Sequence, residues 1–145
     1  MKRFRFRLER VLRFRQTQLD EAKAVVIRER SALAHLEEER RVLEESYDQH
    51  CVISGEGSYV RVALSGLFGS GVRVRLIKLD QRIEEQHQRL EEALVVYREK
   101  QQVVQVLEKL REKQLEEYRL MVSRKETADL DELGAAMMQR RHNDD

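Results

Sequence analysis

From Leu12 onward the chain repeats apolar side chains at alternating steps of four and three residues, and this spacing decides what it can fold into. Leu12, Leu19, Val26, Leu33, Arg40 and Tyr47 form one heptad series, and Arg15, Ala22, Glu29, Leu36 and Leu43 form the other. Two interleaved series of this kind draw a single narrow stripe along a helix, which is the seam of a coiled coil. The stripe is interrupted and then returns. Leu76, Ile83, Leu90, Tyr97, Val104, Arg111 and Tyr118 alternate with Leu79, Gln86, Ala93, Lys100, Leu107, Gln114 and Met121.

The seam is not uniformly apolar. Arg15, Glu29, Gln86 and Lys100 fall on it, and polar seam residues fix register at some cost in stability. Toward the C-terminus an eleven-residue step from Val104 to Leu115 fits the apolar positions Tyr118 and Val122 better than a strict heptad, and it predicts a local relaxation of left-handed supercoiling. Outside the seam, Glu9 with Arg13, Glu37 with Arg41 and Glu85 with Arg89 have the favourable i,i+4 order of a solvated helix face.

Five of the six glycines lie between Gly55 and Gly71. Keeping such a segment helical costs about 1 kcal/mol per glycine, so a break is expected there. Two striped helices joined by a reversal satisfy each other by folding back. The expected fold is therefore all-α, a two-helix antiparallel coiled-coil hairpin with a glycine-rich turn. Residues 1–145 read as a single domain, with a first helix over about 4–50, a turn region over about 51–71 and a second, longer helix over about 72–138.

Composition agrees and narrows the classes of function. There is no proline, 38% of the residues are charged, and 28 Lys and Arg stand against 27 Asp and Glu, for a net charge of +1. That balance argues against a protein that coats nucleic acid, whose cations would have to outnumber its acids. The longest apolar run, Ala93 to Tyr97, is far short of the ~20 residues that cross a bilayer. Met1 to Arg15 is basic but has neither the continuous apolar stretch nor the small-residue cleavage site of a secretory signal, so a cytoplasmic location is expected. The lone Cys51, placed near a helix end, fits a reducing compartment.

Nothing points to chemistry. A two-helix protein presents convex surfaces where an active site needs convergent groups. His35, His50, His87 and His142 are dispersed, without the spacing of metal ligands. Gly66 to Arg73 lacks the Lys-Ser/Thr ending of a phosphate-binding loop. No catalytic residue, cofactor or metal is expected.

Two local signals suggest binding. At the N-terminus, Lys2, Arg3, Arg5, Arg7, Arg10, Arg13 and Arg15 are interleaved with Phe4, Phe6, Leu8, Val11, Leu12 and Phe14, and only Glu9 opposes them. Such a segment suits an acidic protein cavity, a nucleic acid or anionic lipid, or is simply a solvated helix start. Near the turn, Leu43, Tyr47, Tyr59, Leu67 and Phe68 cluster in sequence, as a contact surface or as packing of the cap.

The opening Phe4-Arg5-Phe6-Arg7-Leu8-Glu9-Arg10-Val11-Leu12-Arg13-Phe14-Arg15 resembles the start of the flagellar export protein FliJ family. Leu107-Glu108-Lys109-Leu110-Arg111-Glu112-Lys113, then Glu117-Tyr118, Lys125-Glu126 and Leu130-Asp131-Glu132-Leu133, are similar to that family's second helix. The order of these segments covers essentially the whole chain outside the glycine-rich turn. The resemblance implies a non-enzymatic component of the flagellar type III export apparatus, built like the stalk of a rotary ATPase. It implies that the paired terminal segments engage a hexameric export ATPase through Arg5, Arg7, Arg10, Arg13 and Arg15, with Lys109, Arg111 and Lys113 adding to that surface.

The resemblance also implies contact with the cytoplasmic region of an export-gate membrane protein and with export chaperones, through Leu43, Tyr47, Leu79, Ile83 and Gln86. A monomer, peripheral at the cytoplasmic face of the inner membrane through its partners and without nucleic acid, is expected. Other classes sharing the fold are a stalk protein of a virulence type III secretion system, a nucleic-acid-binding coiled coil and a prefoldin-like chaperone.

Overall fold

The structure, a computed structural model, describes residues 3–53 and 59–143. It contains two helices, α1 (Glu9–Ile53) and α2 (Tyr59–Asn143). They pair antiparallel as a helical hairpin, because partners that advance along α1 retreat along α2: Glu29 meets Gln86, Arg40 meets Asp80, and Tyr47 meets Gly69. The fold class follows from the two stripes.

The contacts divide the chain into two compact units. A terminal unit joins residues 1–17 to residues 101–145, and a middle unit holds residues 18–100. In the middle unit the core is the heptad seam. Ala22, Val26, Leu33 and Leu36 of α1 and Val72 and Leu79 of α2 are buried, each at 9% exposure or less.

Two polar seam residues are satisfied there by each other. Gln86, only 6% exposed, donates its side-chain Nε2 to the Glu29 carboxylate at 2.6 Å and to the Glu29 carbonyl at 3.1 Å. Arg40 crosses the seam to Asp80 at 2.6 Å while also pairing with Glu44 at 2.7 Å on its own helix.

In the terminal unit Leu12 and Val104 are buried, at 2% and 4%. A strict heptad count puts Arg111 and Met121 in the seam, yet both are exposed, whereas Gln114, Leu115, Tyr118 and Val122 are half-buried. The eleven-residue step fits this burial, since 3.67 residues per turn keeps Leu115 and Tyr118 on the stripe while relaxing the left-handed supercoil. From Ser123 to Arg140 every residue of α2 is exposed.

Three local expectations need correction. The first helix begins at Glu9, not near residue 4: residues 3–6 have no regular structure and 7–8 form a turn. The Glu9 N–H donates to the Phe6 carbonyl at 3.2 Å, and an acidic residue in the first turn complements the helix dipole. Second, α2 begins at Tyr59 rather than near Val72, so Gly66, Gly69 and Gly71 are helical, with no positive φ among the described residues. Packing overrides propensity here. Val72 is buried, and Gly69 lies under the Tyr47 ring, where an added Cβ would come within 3.2 Å of its Cε2. Gly55 and Gly57, and the side chains of Cys51 and Tyr59, lie outside the described residues. Third, Arg41 pairs with Glu38 at 2.6 Å and with Glu45, not with Glu37; the Glu9–Arg13 pair forms at 3.7 Å, and none forms between Glu85 and Arg89.

Candidate functional site

The N-terminal segment is built by alternation. Phe4 and Leu8 are half-buried and Phe6 is 7% exposed, while Arg3, Arg5 and Arg7 between them are exposed. An irregular segment whose side chains point alternately to opposite sides puts every second residue against the protein, and here these are the apolar ones. Phe4 anchors the segment to α2 by ring contact with Tyr118, with centroids 5.6 Å apart. The arginines are thereby displayed on one side of a held strap.

The strap continues into the first turns of α1, where Arg10 and Arg13 join Arg3, Arg5 and Arg7 around a surface hollow of about 570 Å³ that Arg111 of α2 completes. Glu9 is the one carboxylate lining it, and it ties the hollow together by pairing with Arg13 and, at 3.3 Å, with Arg111. Gln16 adds a second link to α2, donating Nε2 to Glu108 at 3.4 Å. Chemically, a hollow with six guanidinium groups, one carboxylate and two phenylalanine rings is an acceptor for carboxylates or another anionic surface.

The expected ATPase-facing residues are only partly brought together. Arg5, Arg7, Arg10, Arg13 and Arg111 line the hollow; Lys109 and Lys113 are exposed but do not line it. Arg15 is half-buried on the seam, its guanidinium 5.9 Å from the Phe14 ring centroid. Lys2 lies outside the described residues.

The residues expected at the gate or chaperone face sit in or beside the middle unit's seam. Leu79 and Gln86 are buried, and Leu43, Tyr47 and Ile83 are half-buried. Gln86 is engaged with Glu29, and the donated amide, followed by Arg28, holds the Glu29 carboxyl below its ordinary range. Of the residues near the turn, Leu67 and Phe68 are exposed at 71% and 43%, with Phe68 also in ring contact with His50 at 4.3 Å.

Sequence reasoning missed one surface that the structure displays. On the final stretch of α2, Leu130, Leu133 and Met137 recur at i, i+3 and i+7 and are 68%, 59% and 67% exposed. That spacing is one face of an amphipathic helix, and it was legible in the sequence.

Among the described residues no cluster of His, Cys, Asp or Glu is placed to hold a metal ion, and no helix is long and apolar enough to cross a membrane. Fold and site together define an all-α helical hairpin whose terminal unit displays a basic, aromatic surface. The family model described as Flagellar FliJ protein matches residues 4–143, and the chain belongs to that family of coiled-coil type III protein-export components. Among curated proteins there is no match. A solved structure of a YscO homolog, CT670 from Chlamydia trachomatis, shares the fold, with a TM-score of 0.54 at 19% identity over 99% of this chain and 100% of that one.

Proposed function

We propose that this chain is the stalk of a flagellar type III export apparatus, engaging a hexameric export ATPase through its basic terminal surface. The observation that carries the reading is the convergence of Arg5, Arg7, Arg10, Arg13 and Arg111 around one hollow, the first two on a strap held by Phe4 and Phe6. A ring of ATPase subunits with an acidic lumen would meet these guanidiniums as charge-assisted pairs. Lys109 and Lys113 widen the basic surface, and the exposed stripe of Leu130, Leu133 and Met137 offers an apolar contact on the same helix.

In this reading Leu43, Tyr47, Leu79, Ile83 and Gln86 mark the part that meets the export gate and export chaperones. Residues 1–145 act as one monomeric hairpin without catalysis of their own, peripheral to the inner membrane through these partners. Within this reading the machine is the flagellar one and not a virulence secretion system. Neighbouring flagellar genes would support that assignment, and a virulence secretion operon would reverse it.

The test is co-purification of the full chain with the export ATPase of the same organism, for the wild type and for R5E/R7E/R10E/R13E. All four side chains are exposed, so the variant retains its helicity. Retained helicity with lost ATPase binding supports the stalk reading; equal binding of both proteins removes the basic surface from it.

A further inference from the structure

One flank of the helix pairing in the middle unit is an open groove. In one stretch of about 370 Å³, Val42, Leu43 and Leu79 form an apolar floor, with Arg75, Lys78 and Arg82 of α2 along one bank and Glu39 and Ser46 of α1 along the other. The next stretch, about 700 Å³, shares Glu39 and Arg82 with the first and continues past Leu36, Ala32 and Ile27 to Ala24. The two are one groove. Along α1 it runs from Ala24 to Ser46, roughly 33 Å at helical rise.

Its chemistry is lopsided. Val42 and Ile27 are 51% and 58% exposed, large apolar groups left open to water beside the seam. Arg75, Lys78 and Arg82 stand at i, i+3 and i+7, all exposed, and none forms an ion pair among the described residues. Glu39 is the one carboxylate on the lining. The neighbouring cations Arg28, Arg40 and Arg41 are engaged with acids, Arg28 with Glu29, Arg40 with Asp80 and Glu44, and Arg41 with Glu38 and Glu45.

We infer that this groove is the docking site of an acidic amphipathic helix supplied by a partner protein. A helix laid along it buries an apolar stripe on Ile27, Val42 and the half-buried Leu43 and presents carboxylates, at the same i, i+3, i+7 spacing, to Arg75, Lys78 and Arg82. A bilayer is flat and does not reach a floor between two helices. The length fits about 22 residues of helix. Leu43, Leu79 and Gln86 also belong to the gate or chaperone face proposed above, so the inference rests on that reading for the partner's identity and adds its chemistry.

The probe is a synthetic helical peptide of about 22 residues with leucine on one face and glutamate flanking it, matched to a control in which lysine replaces each glutamate. Fluorescence anisotropy on the full chain is expected to show saturable binding of the acidic peptide only. R75E/K78E/R82E should weaken it at least tenfold and admit the lysine peptide, and V42E should weaken it while circular dichroism stays unchanged. No saturation up to millimolar protein, equal binding of both peptides, or indifference to the charge reversal overturns the proposal. So does a dimer in light scattering that V42E disperses, because a second copy then covers the groove. ATPase co-purification with the same variants separates the failures. Retained ATPase binding with no peptide binding sinks the groove alone, whereas peptide binding by a chain that never binds the ATPase sinks the stalk reading alone.

Discussion

Gln86 and Glu29 hold each other across the seam, with the amide Nε2 at 2.6 Å from the carboxylate and 3.1 Å from the backbone carbonyl of the same residue. A buried amide satisfied twice by one partner fixes which turn of α2 lies opposite which turn of α1, because sliding by a heptad leaves it facing aliphatic groups. Gln86→Ala removes both bonds and opens a gap, and it should lower stability by about 1–3 kcal/mol in urea unfolding. Replacing both residues by leucine should restore most of that loss while loosening register, visible as a second population in disulfide trapping across the helices. A Gln86→Ala protein as stable as the wild type would show the pair to be incidental.

Acid should weaken the hairpin through specific carboxylates. Glu29, held down chiefly by the Gln86 amide, and Glu38, held down by Arg41, both ionise below the ordinary value of 4.5. A carboxyl whose folded value is depressed binds its proton more readily when unfolded, so its stabilisation is complete above the unfolded value and fades as pH falls through the folded one. Thermal unfolding should be flat from pH 7 to about pH 5 and decline below it. Glu29→Gln should flatten part of that decline; an identical profile for the variant would contradict the assignment.

The seam and its flanks should respond very differently to truncation. Leu12 is 2% exposed and Ile27 is 58% exposed. Leu12→Ala should cost about 2–4 kcal/mol, at the lower end of core values because a two-helix seam collapses more easily than a thick core. Ile27→Ala should fall within about 0.5 kcal/mol of the wild type. Comparable losses would mean that Ile27 is covered in solution.

The strap can be released without touching a helix. Phe6 is 7% exposed and residues 3–6 lie outside the helices. Phe6→Ala should leave the far-ultraviolet circular dichroism unchanged yet speed tryptic cleavage at Arg5 and Arg7, and it should weaken ATPase binding by freeing the arginines from their common hollow. Unchanged cleavage would show that Phe4 alone anchors the strap.

Glycines inside α2 offer a test of why the helix survives them. At Gly71 an added Cβ meets nothing within 4 Å, whereas at Gly69 it comes within 3.2 Å of the Tyr47 ring. Gly71→Ala should stabilise by about 0.5–1 kcal/mol, and Gly69→Ala should gain clearly less or destabilise. Equal gains would mean that Tyr47 yields freely.

The seam was legible because its period is long and repeated: Leu12, Ala22, Val26, Leu33, Leu36, Leu79, Gln86 and Val104 are the buried residues that the heptads mark. The eleven-residue step was legible for the same reason. The start of α1 was misread although Arg3-Phe4-Arg5-Phe6-Arg7-Leu8 carries a two-residue alternation, because the seam beyond it extrapolates smoothly backward. The glycine-rich segment misled in the opposite direction, since a rule about propensity cannot see Tyr47 arriving over Gly69. Of the binding surfaces, the arginine cluster was visible from local density. The groove was not, because Arg75, Lys78 and Arg82 read as any solvated helix face until the pairing register sets Val42 beside them.

The most direct test of the stalk account is the mass of the complex between the full chain and its export ATPase, measured by light scattering with nucleotide analogue present. The account predicts a stable assembly of one chain per ATPase hexamer that R5E/R7E/R10E/R13E abolishes. A wild-type chain that never comigrates with the hexamer, or that binds once per ATPase subunit, would contradict it.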